Sequence, residues 1–424
     1  MSSISRRWHA SLSMETIHFV WLGALPIAIL VQSPQRVVLS AAITAAYVGA
    51  AALMLRRTHM NSIVLAYIAA VALWMLASWL RTRYLLRLDA TQLAYGASKT
   101  SYFVLIVLPM AAAVAAVIQR PDGVRPAAVT QVLIGAGVAA LTLLLFGEKF
   151  LGADRYSWQG NLIALGTVVA VQPWPVRSFK ASVVLGVIGV FGVMLASSRQ
   201  AVAALVVALL LTAAYWAAAR LFGKARDMRY VVLPIALVLL TAGYLATTYA
   251  GEVGVQLPWS HGSQASSQQC HCVTDRIVSL ETSAGDRDKL LARGVQLFLQ
   301  HPLLGAGLGS FAGAVPDSLH PGQFYQYPHN LPLELAAETG LVGLVLVILP
   351  LLVGWGVLAW KGSHSGSAPV AVILALTAVF FTIANVSGDI PSERGLWVFG
   401  LVAFKLGLDQ LRQGEMRRAV PRAA

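Results

Sequence analysis

The chain has 424 residues, of which 57% are hydrophobic and only 12% charged, with a net charge of +13. Soluble domains carry about 25% charged residues, so this composition, with a mean hydropathy of +0.70, excludes a soluble fold and calls for an integral membrane protein with many spans. Long uncharged runs such as 183–196 and 231–246 exclude a β-barrel, whose strands alternate over ~10 residues.

Taken in chain order, Arg6 and Arg7 precede a first apolar run at 15–32. The pattern resembles a signal peptide, but further spans follow at once, so it reads as a retained first helix. Apolar runs then fall at 37–54, 61–80, 96–118, 127–147, 160–174, 181–197, 201–222, 230–249, 331–359, 368–387 and 395–411. Most approach the ~20 residues that cross hydrocarbon. The expected fold is an all-α polytopic membrane protein of about twelve transmembrane helices. Nine lie in residues 1–249, a large loop spans 250–330, and three more with a tail fill 331–424. The sixth run, broken by Gly160, Gly166 and Pro173, is expected to be tilted or partly re-entrant.

With the N-terminus inside, 18 of the 31 lysines and arginines fall in inside segments, mostly short loops. Both termini are therefore expected in the cytoplasm and the 250–330 loop outside. No nucleic-acid-binding motif accompanies the positive charge, so membrane lipid, not nucleic acid, is the expected partner. The 13 outside cations include Arg36, Arg81, Arg83, Lys99, Arg199 and Arg394. Held against the orientation bias, they suggest a bound anion on the outer face; solvated loop charge with headgroup contact is the plainer account.

Within the loop, 257–269 is rich in Ser, Gln and Gly and reads as flexible. Cys270 and Cys272 flank His271, with His261 nearby. This set lacks the paired spacing of a zinc site, and a loop disulfide or two free thiols is preferred. Ser283 is the expected cap of a helix running to about Gln300. Leu290, Gly294, Leu297 and Phe298 share one face of it, and Asp286, Lys289 and Arg293 another, which makes an amphipathic helix on the membrane or over a cavity. His301 and Pro302 stop it, and Gly305, Gly307 and Gly309 permit a tight backbone path.

His329 is the first candidate for chemistry. Asn330 is a good N-cap and Pro332 suits a first turn, so a helix starts there. Its positive end disfavours imidazolium and favours a neutral ring that accepts a proton; a polar helix flank is the alternative. Arg199, in the tight turn 195–201, needs an anion or a carboxylate. Asp389 and Arg394 lie in the turn 387–395, where Asp389 either orients His329, pairs an arginine or is simply solvated. Arg287, Lys289 and Arg293 form a cationic set, and planar guanidinium groups grip phosphate oxygens in pairs, which suits a diphosphate. No Asp-x-Asp pair embedded in a dense outer carboxylate cluster stands ready for a divalent metal, so neither metal nor other cofactor is expected.

Four features together resemble the O-antigen ligase and polymerase superfamily. They are Ser198-Arg199, the Arg287 helix, His301-Pro-Leu-Leu-Gly-x-Gly-x-Gly-Ser-Phe311 and His329-Asn-x-x-Leu-x-x-x-x-Glu-x-Gly340. The resemblance implies a bacterial inner-membrane glycosyltransferase with a GT-C-like helical fold. Its ligases move a glycan from undecaprenyl diphosphate onto the lipid A–core oligosaccharide at the periplasmic face, without metal or nucleotide. It further implies that His329 deprotonates or orients the acceptor hydroxyl, while Arg199, Arg287 and Arg293 stabilise the departing diphosphate. Lys289, Asp389, Arg394, His301, Arg81 and Arg83 are the further substrate-binding candidates. An O-antigen polymerase and a protein O-oligosaccharyltransferase share the donor; a single dominant outer loop favours the ligase. A transporter of lipid-linked sugars is the non-enzymatic alternative, but ionisable residues here collect on the outer face and no internal repeat is evident.

Overall fold

The computed structural model describes residues 20–32, 36–55, 60–145, 156–196, 198–225, 227–252, 280–313 and 327–419. The 257–269 stretch, Cys270, Cys272 and the histidines beside them lie outside these residues. Among the described residues all regular structure is helical. The helices are α1 (Leu25–Val31), α2 (Val37–Leu55), α3 (Ser62–Leu85), α4 (Ala90–Tyr102), α5 (Leu108–Val117), α6 (Arg125–Leu144) and α7 (Tyr156–Ala170). They continue as α8 (Phe179–Leu195), α9 (Arg199–Leu221), α10 (Arg229–Glu252), α11 (Leu280–Gln300), α12 (Leu331–Ser365), α13 (Ala368–Ser387) and α14 (Arg394–Ala419).

Each apolar run of the sequence coincides with a helix in the same order, α4 and α5 being joined by a π-turn at Phe103–Val107. The physical reason is that only a helix satisfies every backbone group within one segment in hydrocarbon. Among the described residues seven helical segments are long and apolar enough to cross a membrane, including Ser62–Leu85, Ala90–Val117, Arg199–Leu221 and Leu331–Ser365. The chain is a polytopic, all-helical membrane protein. The short sixth run is α7, of 15 residues, which ends before Pro173.

The chain divides into two compact units, one of Met1–Thr130, Arg287–Gly362 and Ala384–Ala424, the other of Gln131–Asp286 and Ser363–Ile383. In the second, α6 and α7 cross closely at Gly135 and Gly166, where a Cβ on either would fall 2.6 Å from the other's Cα; small residues let helix backbones approach in this way. Some of its buried polar side chains pair with one another. Gln172 Nε2 donates to Thr212 Oγ1 at 3.0 Å, and Trp216 Nε1 donates to Gln172 Oε1 at 3.0 Å.

In the first unit the defining feature is a break in α12 at Gly340, whose φ of 71° and ψ of −174° are not helical. The break frees backbone groups, and the 302–307 segment takes them up. Ala306 and Gly307 N–H donate to the Ala337 and Glu338 carbonyls at 2.8 and 3.0 Å. Leu341 and Val342 N–H donate to the Pro302 and Leu303 carbonyls at 2.8 and 3.2 Å. The glycine-rich motif is thus the structural complement of the kink. Helix α11 closes over it: Leu290 and Leu297 pack with Phe311 and Ala337, and Gly294 admits Leu333. This is the apolar face the sequence shows, with Phe298 half-buried beside it. Ser283, expected to cap α11, instead lies inside the helix, which is already formed at Leu280.

Candidate active site

The site is built at the N-terminal end of α12. Asn330 Oδ1 accepts from Leu333 N–H at 2.9 Å, the expected cap, and its Nδ2 donates to the Asn385 carbonyl at 2.9 Å. With Asn330 held at both ends, His329 takes a left-handed backbone, φ 57°, alone among described non-glycine residues. Its ring meets Tyr327 edge-on, with centroids 4.6 Å apart, and hydrogen-bonds the backbone of Ser387 at the end of α13. The other nitrogen, Nδ1, is buried without a hydrogen-bond partner among the described residues. A neutral imidazole that donates from one nitrogen presents a lone pair on the other.

Burial lowers the His329 pKa below its usual 6.5, and the positive charge of Arg287 lowers it further; the Ser387 hydrogen bond and Asp389 act the other way. Arg287 stands on α11 and is exposed, with its charge felt by both His329 and Tyr327. Asp389 belongs to the turn before α14, where its Oδ1 accepts from Ser392 N–H at 2.8 Å. Glu393 follows it, its carboxyl pushed up to about 8 by burial first and by Asp389 second, with Arg394 opposing. Burial also raises the Tyr327 hydroxyl, with Asp389, Glu334 and Glu393 adding to the effect. An imidazole, a guanidinium and a carboxylate therefore sense one another here, just before the first turn of an apolar helix.

The remaining candidates are dispersed. Lys289 is exposed, and Arg293 is half-buried with Nη1 donating to Gln296 Oε1 at 2.7 Å. His301 is exposed, and its carbonyl accepts from Gly305 N–H at 2.9 Å, so its backbone shapes the loop. Arg81 is used structurally: its Nη2 donates to the Leu304 and Gly305 carbonyls at 2.6 and 2.7 Å. Arg83 is exposed near the end of α3, and Arg394 is buried where α14 begins. Arg199 belongs to the other unit. It is half-buried in the first turn of α9, behind Ser198, whose side chain caps the helix by accepting from Ala201 N–H at 3.4 Å.

Sequence reasoning missed a second group. Lys99, counted from topology among the outer cations, is fully buried in α4 between Glu334 and Glu338, with Nζ 2.7 Å from Glu338 Oε2. The second oxygen of Glu334 accepts from Ile390 N–H at 3.0 Å, and that of Glu338 from Gly309 N–H at 3.1 Å. Neither glutamate is left as a solvent-facing nucleophile. A signal was present, because two glutamates spaced four apart share a helix face and ionisable residues inside spans are rarely incidental. Tyr327 carried no comparable signal.

The arrangement can accept a proton at His329 Nδ1 within the field of the Arg287 charge. A family model described as O-Antigen ligase matches residues 184–348, which contain Arg199, Arg287, the 301–311 loop and His329. No curated protein matches the chain.

Proposed function

We propose that the chain is an O-antigen ligase of a bacterial inner membrane with its site on the periplasmic face, a reading supported by the O-Antigen ligase family model over residues 184–348. It moves a glycan from undecaprenyl diphosphate to a hydroxyl of the lipid A–core oligosaccharide. The observation that carries this reading is His329 Nδ1, buried and unpartnered among the described residues, at a helix end that also gathers Arg287 and Asp389.

In the proposed step the acceptor oxygen attacks the anomeric carbon while its proton passes to His329 Nδ1. The bond from that carbon to the diphosphate oxygen breaks, and the charge that develops on the diphosphate meets the Arg287 guanidinium. One displacement inverts the configuration. Asp389 steadies the imidazolium that forms. One well-placed charge-stabilising donor typically contributes ~2.7–4 kcal/mol, or ~10²–10³-fold, comparable with the ~10²–10⁴-fold of a general base. The resemblance assigns Arg199 to the same charge, and its alanine variant tests that assignment.

The test uses the purified full-length chain in detergent with EDTA, a glycan on undecaprenyl diphosphate, and lipid A–core as acceptor. A ladder on the core lipid that His329→Ala abolishes supports the ligase. Lengthened donor without modified core makes the chain a polymerase instead. No product from intact protein overturns the enzymatic reading.

A further inference from the structure

We propose that Lys99, Glu334 and Glu338 form a positioning clamp: one buried ammonium sets the spacing of the three segments that build the reaction centre. The proposal rests on the reading of His329 as the base.

The first observation is the wiring. Both oxygens of each carboxylate are engaged, one with Lys99 and the other with a backbone N–H from a different segment. Through Glu334, α12 is tied to Ile390, the neighbour of Asp389. Through Glu338 it is tied to Gly309, and also to the Phe311 backbone, whose side chain anchors α11 through Leu290 and Leu297. Glu334 lies one turn beyond the Asn330 cap that holds His329. The start of α12, the turn beside Asp389 and the loop on which α11 packs are therefore tied, through the two glutamates, to one lysine.

The second observation is the platform. Gln92, Gly96 and Lys99 recur at helical spacing along α4. Gln92 Nε2 donates to the Ser310 carbonyl at 3.2 Å. A Cβ at Gly96 would fall under 3.0 Å from the Leu308 carbonyl, so the loop rests directly on the helix backbone. Lys99 completes this face and joins the loop to α12.

The third argument is energetic. All three side chains are 0% exposed, and taking an ammonium and two carboxyl groups out of water carries a desolvation cost that their mutual attraction only partly offsets. Apolar residues of the same volume would hold the helices together at least as well. What they would not do is fix the Ile390 and Gly309 amides at set positions. The charges supply geometry rather than cohesion. That matters because a misplacement of 1 Å can lower turnover ~10²-fold.

The test compares Lys99→Met, Glu334→Met and Glu338→Met in the full chain, with Lys405→Met as control. Lys405 is a second buried lysine, bonded to the Ile118 carbonyl at 2.9 Å and remote from the clamp in its wiring. In the transfer assay Lys99→Met should lower kcat about 10²-fold with the donor KM unchanged, while Lys405→Met leaves kcat unchanged. Amide exchange should quicken at Ile390 alone in Glu334→Met, and at Gly309 and Phe311 alone in Glu338→Met. Those two variants carry the test if Lys99→Met does not insert. Unchanged kcat in folded Lys99→Met, or equal loosening of all segments in both glutamate variants, overturns the clamp. If the wild type transfers no glycan, the functional reading fails, and the exchange pattern still decides whether the clamp exists.

Discussion

The break in α12 offers the sharpest test of how the site is held. Gly340 sits at φ 71°, ψ −174°, a region essentially open to glycine alone, where another residue costs ~1–3 kcal/mol. A Cβ there would also fall under 3.0 Å from the carbonyl carbon and oxygen of Leu303, so backbone must shift. Gly340→Ala therefore has two routes. It keeps the kink and accepts strain and overlap, or it straightens, which alanine favours by ~1 kcal/mol over glycine.

A straight α12 would pair Leu341 N–H with the Ala337 carbonyl and Val342 N–H with that of Glu338, at the normal helical interval. Four loop groups would then lose their partners: the Pro302 and Leu303 carbonyls and the Ala306 and Gly307 N–H groups. At ~0.5–1.5 kcal/mol each, the cheaper route still costs on the order of 2–4 kcal/mol. That lowers the ratio of docked to undocked loop roughly 30- to 10³-fold. The assay pairs transfer rate with amide exchange at Ala306 and Gly307, both expected to lose protection as activity falls. Gly356→Ala on the same helix, where an added Cβ meets nothing within 4 Å, should be neutral. Full activity with unchanged protection in Gly340→Ala would refute the reasoning.

Three further outcomes are expected. Arg287→Ala should lower kcat by ~10²–10³-fold, a loss comparable with that of His329→Ala, and Arg199→Ala should do likewise; wild-type turnover by inserted arginine variants would sink those roles. His329 must be neutral to accept a proton, and burial and Arg287 hold its pKa below 6.5, so kcat/KM should fall only as pH drops through that lowered value. Removing Arg287 takes away a cause that lowers the pKa, so the acid limb moves to higher pH, whereas Asp389→Asn moves it lower; a limb that stays put in both variants would dissociate these groups from the base. Arg81→Met removes two hydrogen bonds to the 304 and 305 carbonyls and should cost on the order of 1–3 kcal/mol, read as a lower Tm in detergent. A raised donor KM at unchanged Tm would return Arg81 to the substrate.

Much of the scaffold was legible because hydrocarbon leaves the backbone few options. An uncharged apolar run must be helical, and a glycine-rich segment between such runs must turn. The buried face of α11 followed from spacing alone, as did the Asn330 cap. Charge was harder to read. Counting cations by topology treats each as a loop charge, yet the carboxylates that neutralise Lys99 are 235 and 239 residues further along the chain. Arg81 likewise finds its acceptors 223 and 224 residues away. Pairings at that separation leave no periodic trace, so two cations that looked available for an anion are committed within the protein.

The backbone of His329 joins the fold to its chemistry. A left-handed conformation costs a non-glycine residue roughly 1–2 kcal/mol, and glycine in its place would relieve that cost. The surroundings instead over-determine it. Asn330 is pinned in front by its cap to Leu333 and its bond to Asn385, and the ring is held by Ser387 and Tyr327. Reversing the sign of φ would swing the Cβ away and break the ring's hydrogen bond, which alone distinguishes the two nitrogens. The strain is thus the means by which the imidazole keeps one nitrogen occupied and Nδ1 available. A relaxed backbone would leave the same residue in the sequence without the orientation that the proposed base requires.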